Sequence, residues 1–162
     1  MHRLLFLEPA LFRAAQPLRV RQARAADEIV VYARDGRELR DFLTFVDRFN
    51  GRAEQPTRWR PTVVETNDPL ERLLGERRGD VVVLAGRNGG KAHAMWRLHE
   101  AGFHVLADKP WLVEPADLDA VRASLAGPPI TAEIMTGRRD LAASVMRRVV
   151  STPAGFGGFS QG

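Results

Sequence analysis

Phe103-His104-Val105-Leu106-Ala107-Asp108-Lys109-Pro110-Trp111 is an apolar run that stops abruptly in an acid and a base set against a proline. Such a run reads as a buried strand that delivers its last residues to the edge of a sheet. Ligands of open α/β sheets sit outside the carboxyl ends of the strands, so Lys109 is expected to face a crevice rather than packed interior. Lysine is scarce in this chain. Of its 24 basic residues all are arginine except Lys91 and Lys109, and both follow predicted strands. Arginine keeps its proton, whereas a partly desolvated lysine can act as acid or base. Pro110 biases Lys109 to extended geometry, which would fix where the ammonium points. An ordinary surface lysine at a strand end is the plainer alternative.

Similar short apolar runs recur along the chain without the alternation of a half-exposed strand, the pattern of buried parallel strands. They predict strands over 3–7, 28–32, 60–65, 80–85, 103–107 and 130–134, with helices between them. Leu39, Phe42, Leu43, Val46 and Phe49 share one helical face, with Asp35 and Glu38 spaced as a capping pair at its start. Pro69 opens a helix carrying Leu70, Leu73 and Leu74. After the fourth strand Ala94, Met95, Leu98 and Ala101 share a face, and Gly102 stands where a helix ends in the left-handed conformation. Pro115 opens a further helix with Leu118, Val121 and Leu125 inward, and Leu141, Val145 and Val149 mark the last one. Six alternations of strand and helix predict an α/β fold, a doubly wound and mostly parallel sheet of the Rossmann type.

The size, 162 residues with 44% hydrophobic and 27% charged, suits one compact core. No cysteine is present, so neither a disulfide framework nor a thiolate metal site is available, and the cytoplasm is the simplest compartment. Glu8 and Pro9 end the apolar start of the chain too early for a signal-peptide core, and no stretch is long enough to cross a bilayer. The net charge of +4 comes from the first 60 residues. Arg19, Arg21 and Arg24 raise the question of nucleic acid, but no aromatic residues interleave them as a stacking platform requires. A solvated face is the expected reading, with neither nucleic acid nor membrane as partner.

The first strand-to-helix turn, Leu7-Glu8-Pro9-Ala10-Leu11-Phe12-Arg13-Ala14-Ala15, contains no glycine, although a dinucleotide-binding turn normally needs one for close backbone approach to the pyrophosphate. Each Cβ pushes a phosphate outward, and Glu8 adds an unfavourable charge that only Arg13 is expected to offset. A structural turn in a nucleotide-free fold is the equal alternative. At the end of the second strand, Arg34 and Asp35 lie at the spacing where an acid meets a ribose hydroxyl and an arginine meets a 2′-phosphate. Asp35 as a helix cap competes with that role. Leu84-Ala85-Gly86-Arg87-Asn88-Gly89-Gly90-Lys91 fails as a phosphate loop: one residue is missing between Gly86 and Gly90, and Ala92 stands where a hydroxyl is needed. It remains a flexible glycine-rich turn suited to touch a ligand, with Asn88 as contact or helix cap. His93, His99 and His104 fall on different faces and elements, and no metal site is expected.

The run Ala101-Gly102-Phe103-His104-Val105-Leu106-Ala107-Asp108-Lys109-Pro110 resembles the Glu-Lys-Pro region of the Gfo/Idh/MocA oxidoreductases, with Asp108 in place of glutamate. Leu84-Ala85-Gly86-Arg87-Asn88 and Asp108-Lys109-Pro110-Trp111 are similar to one branch of that family, to which 42–50 and Arg52-Ala53-Glu54 also correspond. The resemblance implies NAD or NADP as cofactor, a sugar- or polyol-like substrate, and Lys109 beside the nicotinamide as acid or base during hydride transfer. It implies cofactor contacts from Ala10, Phe12, Arg13, Arg34, Asp35, Gly86, Arg87, Asn88, Asp108 and Lys109. Lys91, rather than His93, falls on the position usually held by histidine. Two departures stand out. Ala10-Leu11-Phe12-Arg13 replaces the branch's Gly-His-Phe-His, and the chain stops at Gly162 where family members continue into a sheet-rich second domain. Residues 1–150 are thus expected to be a dinucleotide-binding domain and 151–162 a Gly/Pro-rich tail leading to an absent domain. Either an oxidoreductase domain or a truncated, non-catalytic one with weak or no nucleotide affinity follows, with a homo-oligomer left open.

Overall fold

The computed structural model describes residues 2–10, 14–19, 25–108 and 110. They divide into two compact units that meet in sequence between Arg87 and Asn88. In the first unit β1 (His2–Leu7), β2 (Ala25–Ala33), β3 (Arg60–Glu65) and β4 (Val81–Leu84) run parallel in the spatial order β3-β2-β1-β4. This unit also holds helices α1 (Arg37–Gly51) and α2 (Pro69–Glu76). The second unit holds α3 (Lys91–Glu100) and β5 (His104–Ala107). The α/β fold expected from the apolar runs is present. The strand expected at 130–134, the helices expected after Pro115 and around Leu141, and the tail from Thr152 lie outside the described residues.

Parallel strands covered on both faces must be apolar along their length. In β1, Leu4, Leu5, Phe6 and Leu7 are all buried. The Phe6 ring packs on Phe42 of α1 at 5.0 Å between centroids. Phe6 lies opposite Val31 of β2, so the next residue, Tyr32, looks to the other face of the sheet. There its hydroxyl donates to Glu76 Oε2 of α2 at 3.0 Å. The two helices therefore cover opposite faces, which is the doubly wound arrangement. Phe6 and Phe42 are fully buried, and truncating either to alanine would cost about 3–5 kcal/mol.

The ends of elements depart from the apolar runs. β2 starts three residues before the expected 28, and Glu28 within it is bridged by Arg3 of β1 at 3.0 Å and Arg60 of β3 at 3.5 Å. Asp80 lies outside β4, and its carboxylate accepts the Arg3 amide at 3.1 Å. The capping pair expected for α1 does not form. Its N-cap is Gly36 with no side-chain bond, and Asp35 accepts from Arg40 at 2.8 Å and Glu38 from Arg87 at 2.9 Å. Asp68 does cap α2, accepting from the Glu71 amide at 3.3 Å, with Pro69 at its first position. Gly102, at φ 81°, follows α3 in the left-handed conformation the sequence predicted.

The segment after α1 is closed by Asn50. Its Nδ2 donates to the Trp59 carbonyl at 2.9 Å, and its Oδ1 accepts from the Trp59 amide at 2.9 Å and the Thr57 hydroxyl at 2.8 Å. Trp59 Nε1 in turn donates to the Leu18 carbonyl at 2.7 Å. Among the described residues no helix is long and apolar enough to cross a membrane.

Burial, reinforced by the bond to Glu76 and its charge, pushes the Tyr32 phenol from 10.0 up to about 12. The neutral phenol is thus favoured in the folded chain, a contribution fully present below the unfolded value near pH 10 and lost as pH climbs toward 12. Its full size is on the order of 3 kcal/mol. Tyr32 is the single tyrosine of the chain. Tyrosinate absorbance should therefore rise with a midpoint near pH 12 in the folded chain and near 10 in urea; equal midpoints would contradict the buried Tyr32–Glu76 contact.

Candidate functional site

Strand order reverses at β1: the chain leaving it proceeds to β2 on one side, while β4 lies on the other. Turns leaving the carboxyl ends of β1 and β4 diverge at such a point and leave a crevice suited to a ligand. The β1 turn begins with Glu8, whose amide donates to the Tyr32 carbonyl at 2.8 Å and whose φ is 42°. That left-handed conformation is uncommon for a residue with a side chain. On the β4 side a Cβ placed on Gly86 would stand 2.2 Å from the Glu8 carbonyl oxygen. Gly86 is therefore required by backbone packing on backbone, rather than serving as the flexible turn expected from its neighbours. Pro9 and Ala10 are buried behind this contact, and Phe12 and Arg13 lie outside the described residues.

Around these turns the first unit carries a row of ion pairs. Arg34 Nη1 is bonded to Glu8 Oε1, and Arg34 Nε donates to the Asn67 carbonyl at 3.1 Å. The charge of Glu8 is thus offset by Arg34, which corrects the expectation that only Arg13 could do so. Arg34 follows β2 just as Glu8 follows β1, and parallel pairing brings the two strand ends side by side. Asp35 is held by Arg40, and Arg87, 81% exposed along its side chain, reaches back to Glu38. All three pairs are substantially exposed, so each is worth about 0–1 kcal/mol to stability.

In the second unit, Asn88 is not the cap of α3. That position is Gly90, at φ 73° with no side-chain bond. Asn88 instead receives Lys91 twice: its carbonyl accepts the Lys91 amide at 3.2 Å and its Oδ1 accepts Nζ at 3.0 Å. Lys91 is buried at 4% exposure, and Nζ also donates to the backbone carbonyl of Asp108 at 3.0 Å. The ammonium thus ties the turn before α3 to the residue after β5. Asp108 is itself buried, and Lys109, on which the sequence argument turned, lies outside the described residues. His93 is exposed beside the Trp96 ring at 5.8 Å, and among the described residues no group of side chains could hold a metal ion. Arg19 is exposed, while Arg21 and Arg24 lie outside the described residues.

Two features escaped the sequence reading. The Glu8–Arg34 pair was signalled by opposite charges just past two adjacent strands, a signal that becomes readable once the register is known. The burial of Lys91 had no local signal, because its partners lie three and seventeen residues away.

No protein-family model matches the chain, and no curated protein matches it significantly. Among solved structures, a candidate oxidoreductase from Parabacteroides merdae ATCC 43184 matches with a TM-score of 0.75 and 34% identity, over 77% of this chain and 28% of that one. The resemblance to Gfo/Idh/MocA oxidoreductases is borne out. A Gfo/Idh/MocA family oxidoreductase from Vibrio cholerae shares the fold at a TM-score of 0.50 and 12% identity, over 78% of this chain and 37% of that one. Apo scyllo-inositol dehydrogenase from Lactobacillus casei shares it at 0.51 and 12%, over 78% and 33%. The chain spans 28% to 37% of the length of these three structures.

Replacing Lys91 with methionine keeps the stem and removes the ammonium that serves two acceptors. Loss of charged donors to buried carbonyls costs about 1–3 kcal/mol. Urea unfolding followed by tryptophan fluorescence should show a loss of that size, and an unchanged midpoint would mean that the Asn88 and Asp108 contacts contribute nothing.

Proposed function

We propose that this chain is the dinucleotide-binding domain of an NAD(P)-dependent oxidoreductase, spanning 1–150, which acts on a hydroxyl or carbonyl of a sugar- or polyol-like small molecule. One observation carries the reading: exposed ion pairs cluster at the strand-order reversal, where a parallel α/β sheet accommodates nucleotides. The donor set fits the ribose end of such a cofactor, with exposed carboxylates of Glu8 and Asp35 as acceptors for hydroxyls and the Arg34 guanidinium between strand ends. The positions that would meet the pyrophosphate, from Leu11 to Arg13, lie outside the described residues.

NAD(P), when bound, supplies the hydride acceptor or donor. Removing hydride from an alcohol carbon also requires removal of the hydroxyl proton, and we assign that proton to Lys109 Nζ. Lys91 supports this role through the carbonyl of Asp108, the residue bonded directly to Lys109. Asn88 is assigned to the cofactor side of the same turn. The cytoplasm is the proposed compartment, and neither nucleic acid nor membrane is a proposed partner.

A second reading, a domain of this fold with weak or no dinucleotide affinity, is favoured by the glycine-free first turn, where Ala10 is buried and Glu8 brings a carboxylate. Titration separates the two. Saturating NADH or NADPH should raise the melting temperature by several degrees, since ligand at a hundred times Kd contributes about 2.7 kcal/mol, and should quench tryptophan emission by energy transfer. Neither effect with either cofactor would leave the second reading. Lys109→Met should retain dinucleotide affinity within about twofold and lose at least about a hundredfold in any turnover, the lower end of what proton-transfer catalysis contributes.

A further inference from the structure

We infer that Glu8 sets the cofactor preference of this chain, selecting NAD(H) against NADP(H), an inference that rests on the dinucleotide reading above. Asp35 stands at the usual chain distance for a ribose-binding acid, yet its carboxylate is held by Arg40 at 2.8 Å. Arg34 stands where a 2′-phosphate would be received, yet its Nη1 is bonded to Glu8 and its Nε to the Asn67 carbonyl. One arm of the guanidinium thus already meets the chain's own anion.

The backbone of Glu8 is fixed on both sides: its amide is tied to the Tyr32 carbonyl and its carbonyl is wedged against Gly86, where no Cβ would fit. Its Cβ therefore departs at the carboxyl end of β1, and its carboxylate meets Arg34 just past the end of β2. The carboxylate is 43% exposed, so it retains lone pairs open to a ligand. A ribose bearing free hydroxyls donates to that carboxylate without disturbing the ion pair. A 2′-phosphate brings close to two negative charges. It must either draw Arg34 away and strand the Glu8 carboxylate, or sit against that carboxylate directly. Both routes disfavour the phosphorylated cofactor.

The test is a pair of binding titrations, NADH and NADPH, on the wild-type chain and on Glu8→Gln, which keeps size and removes charge. The wild type should bind NADH at least tenfold more tightly than NADPH, and Glu8→Gln should weaken NADH while tightening NADPH, moving the ratio of the two affinities at least tenfold toward NADPH. Circular dichroism and urea unfolding establish that the variant folds. If it does not, Arg34→Met serves instead: it leaves the Glu8 carboxylate without its counter-charge and should move the ratio at least tenfold further toward NADH. A wild type that prefers NADPH, or a Glu8→Gln chain whose preference moves less than twofold, overturns the role of Glu8 and leaves the cofactor reading standing. Absence of binding by both cofactors to both proteins overturns the two together.

Discussion

β1 is hydrogen-bonded along both edges, to β2 and to β4, and everything at the candidate site depends on that two-sided pairing. A strand in this position has one exit toward its carboxyl end, and here both neighbours grip it: β2 through the Tyr32 carbonyl, the segment after β4 through Gly86. A turn held in this way cannot relax around a ligand, and it keeps Glu8 in a left-handed conformation that costs a side-chain-bearing residue roughly 1 kcal/mol or more. What the described part of this turn presents is consequently a carboxylate and its arginine.

The two ends of the four-stranded sheet use the same chemistry to different effect. At the amino end Arg3 reaches Glu28, Asp80 and the Arg78 carbonyl, and Glu28 also meets Arg60, so the charges stitch neighbouring strands in register. At the carboxyl end Arg34, Arg40 and Arg87 are paired with Glu8, Asp35 and Glu38. Surface pairs contribute little to stability at either end. What distinguishes them is topology, because only the carboxyl end combines such pairs with the reversal of strand order.

Much of the architecture could be read from apolar runs. β3 falls on 60–65 as expected, and the apolar face of α1 buries Leu39, Phe42, Val46 and Phe49. Such segments are legible because burial on both faces, or on one helical stripe, imposes a pattern of its own. The misplaced features divide in two. Glu38 and Asp80 are engaged by Arg87 and Arg3, distant in sequence, which spacing along the chain does not encode. Asp35 and Asn88 meet Arg40 and Lys91 close by in sequence, where a side-chain donor takes the place of the expected helix-end amide. The glycines divide along the same line. Gly102 was readable from its place after a helix, whereas the need for glycine at 86 arises from the Glu8 carbonyl, distant in sequence.

Lys91 shows why a lysine can be structural in one place while another serves chemistry. An ammonium is a compact charge with three donors, and burying it is costly unless those donors are satisfied. Here the Asn88 side chain and the Asp108 carbonyl meet it at 3.0 Å each. The Asp108 carbonyl belongs to the planar peptide that continues into the next residue, so holding its oxygen orients the plane from which Lys109 departs. Pro110 restricts the step after that.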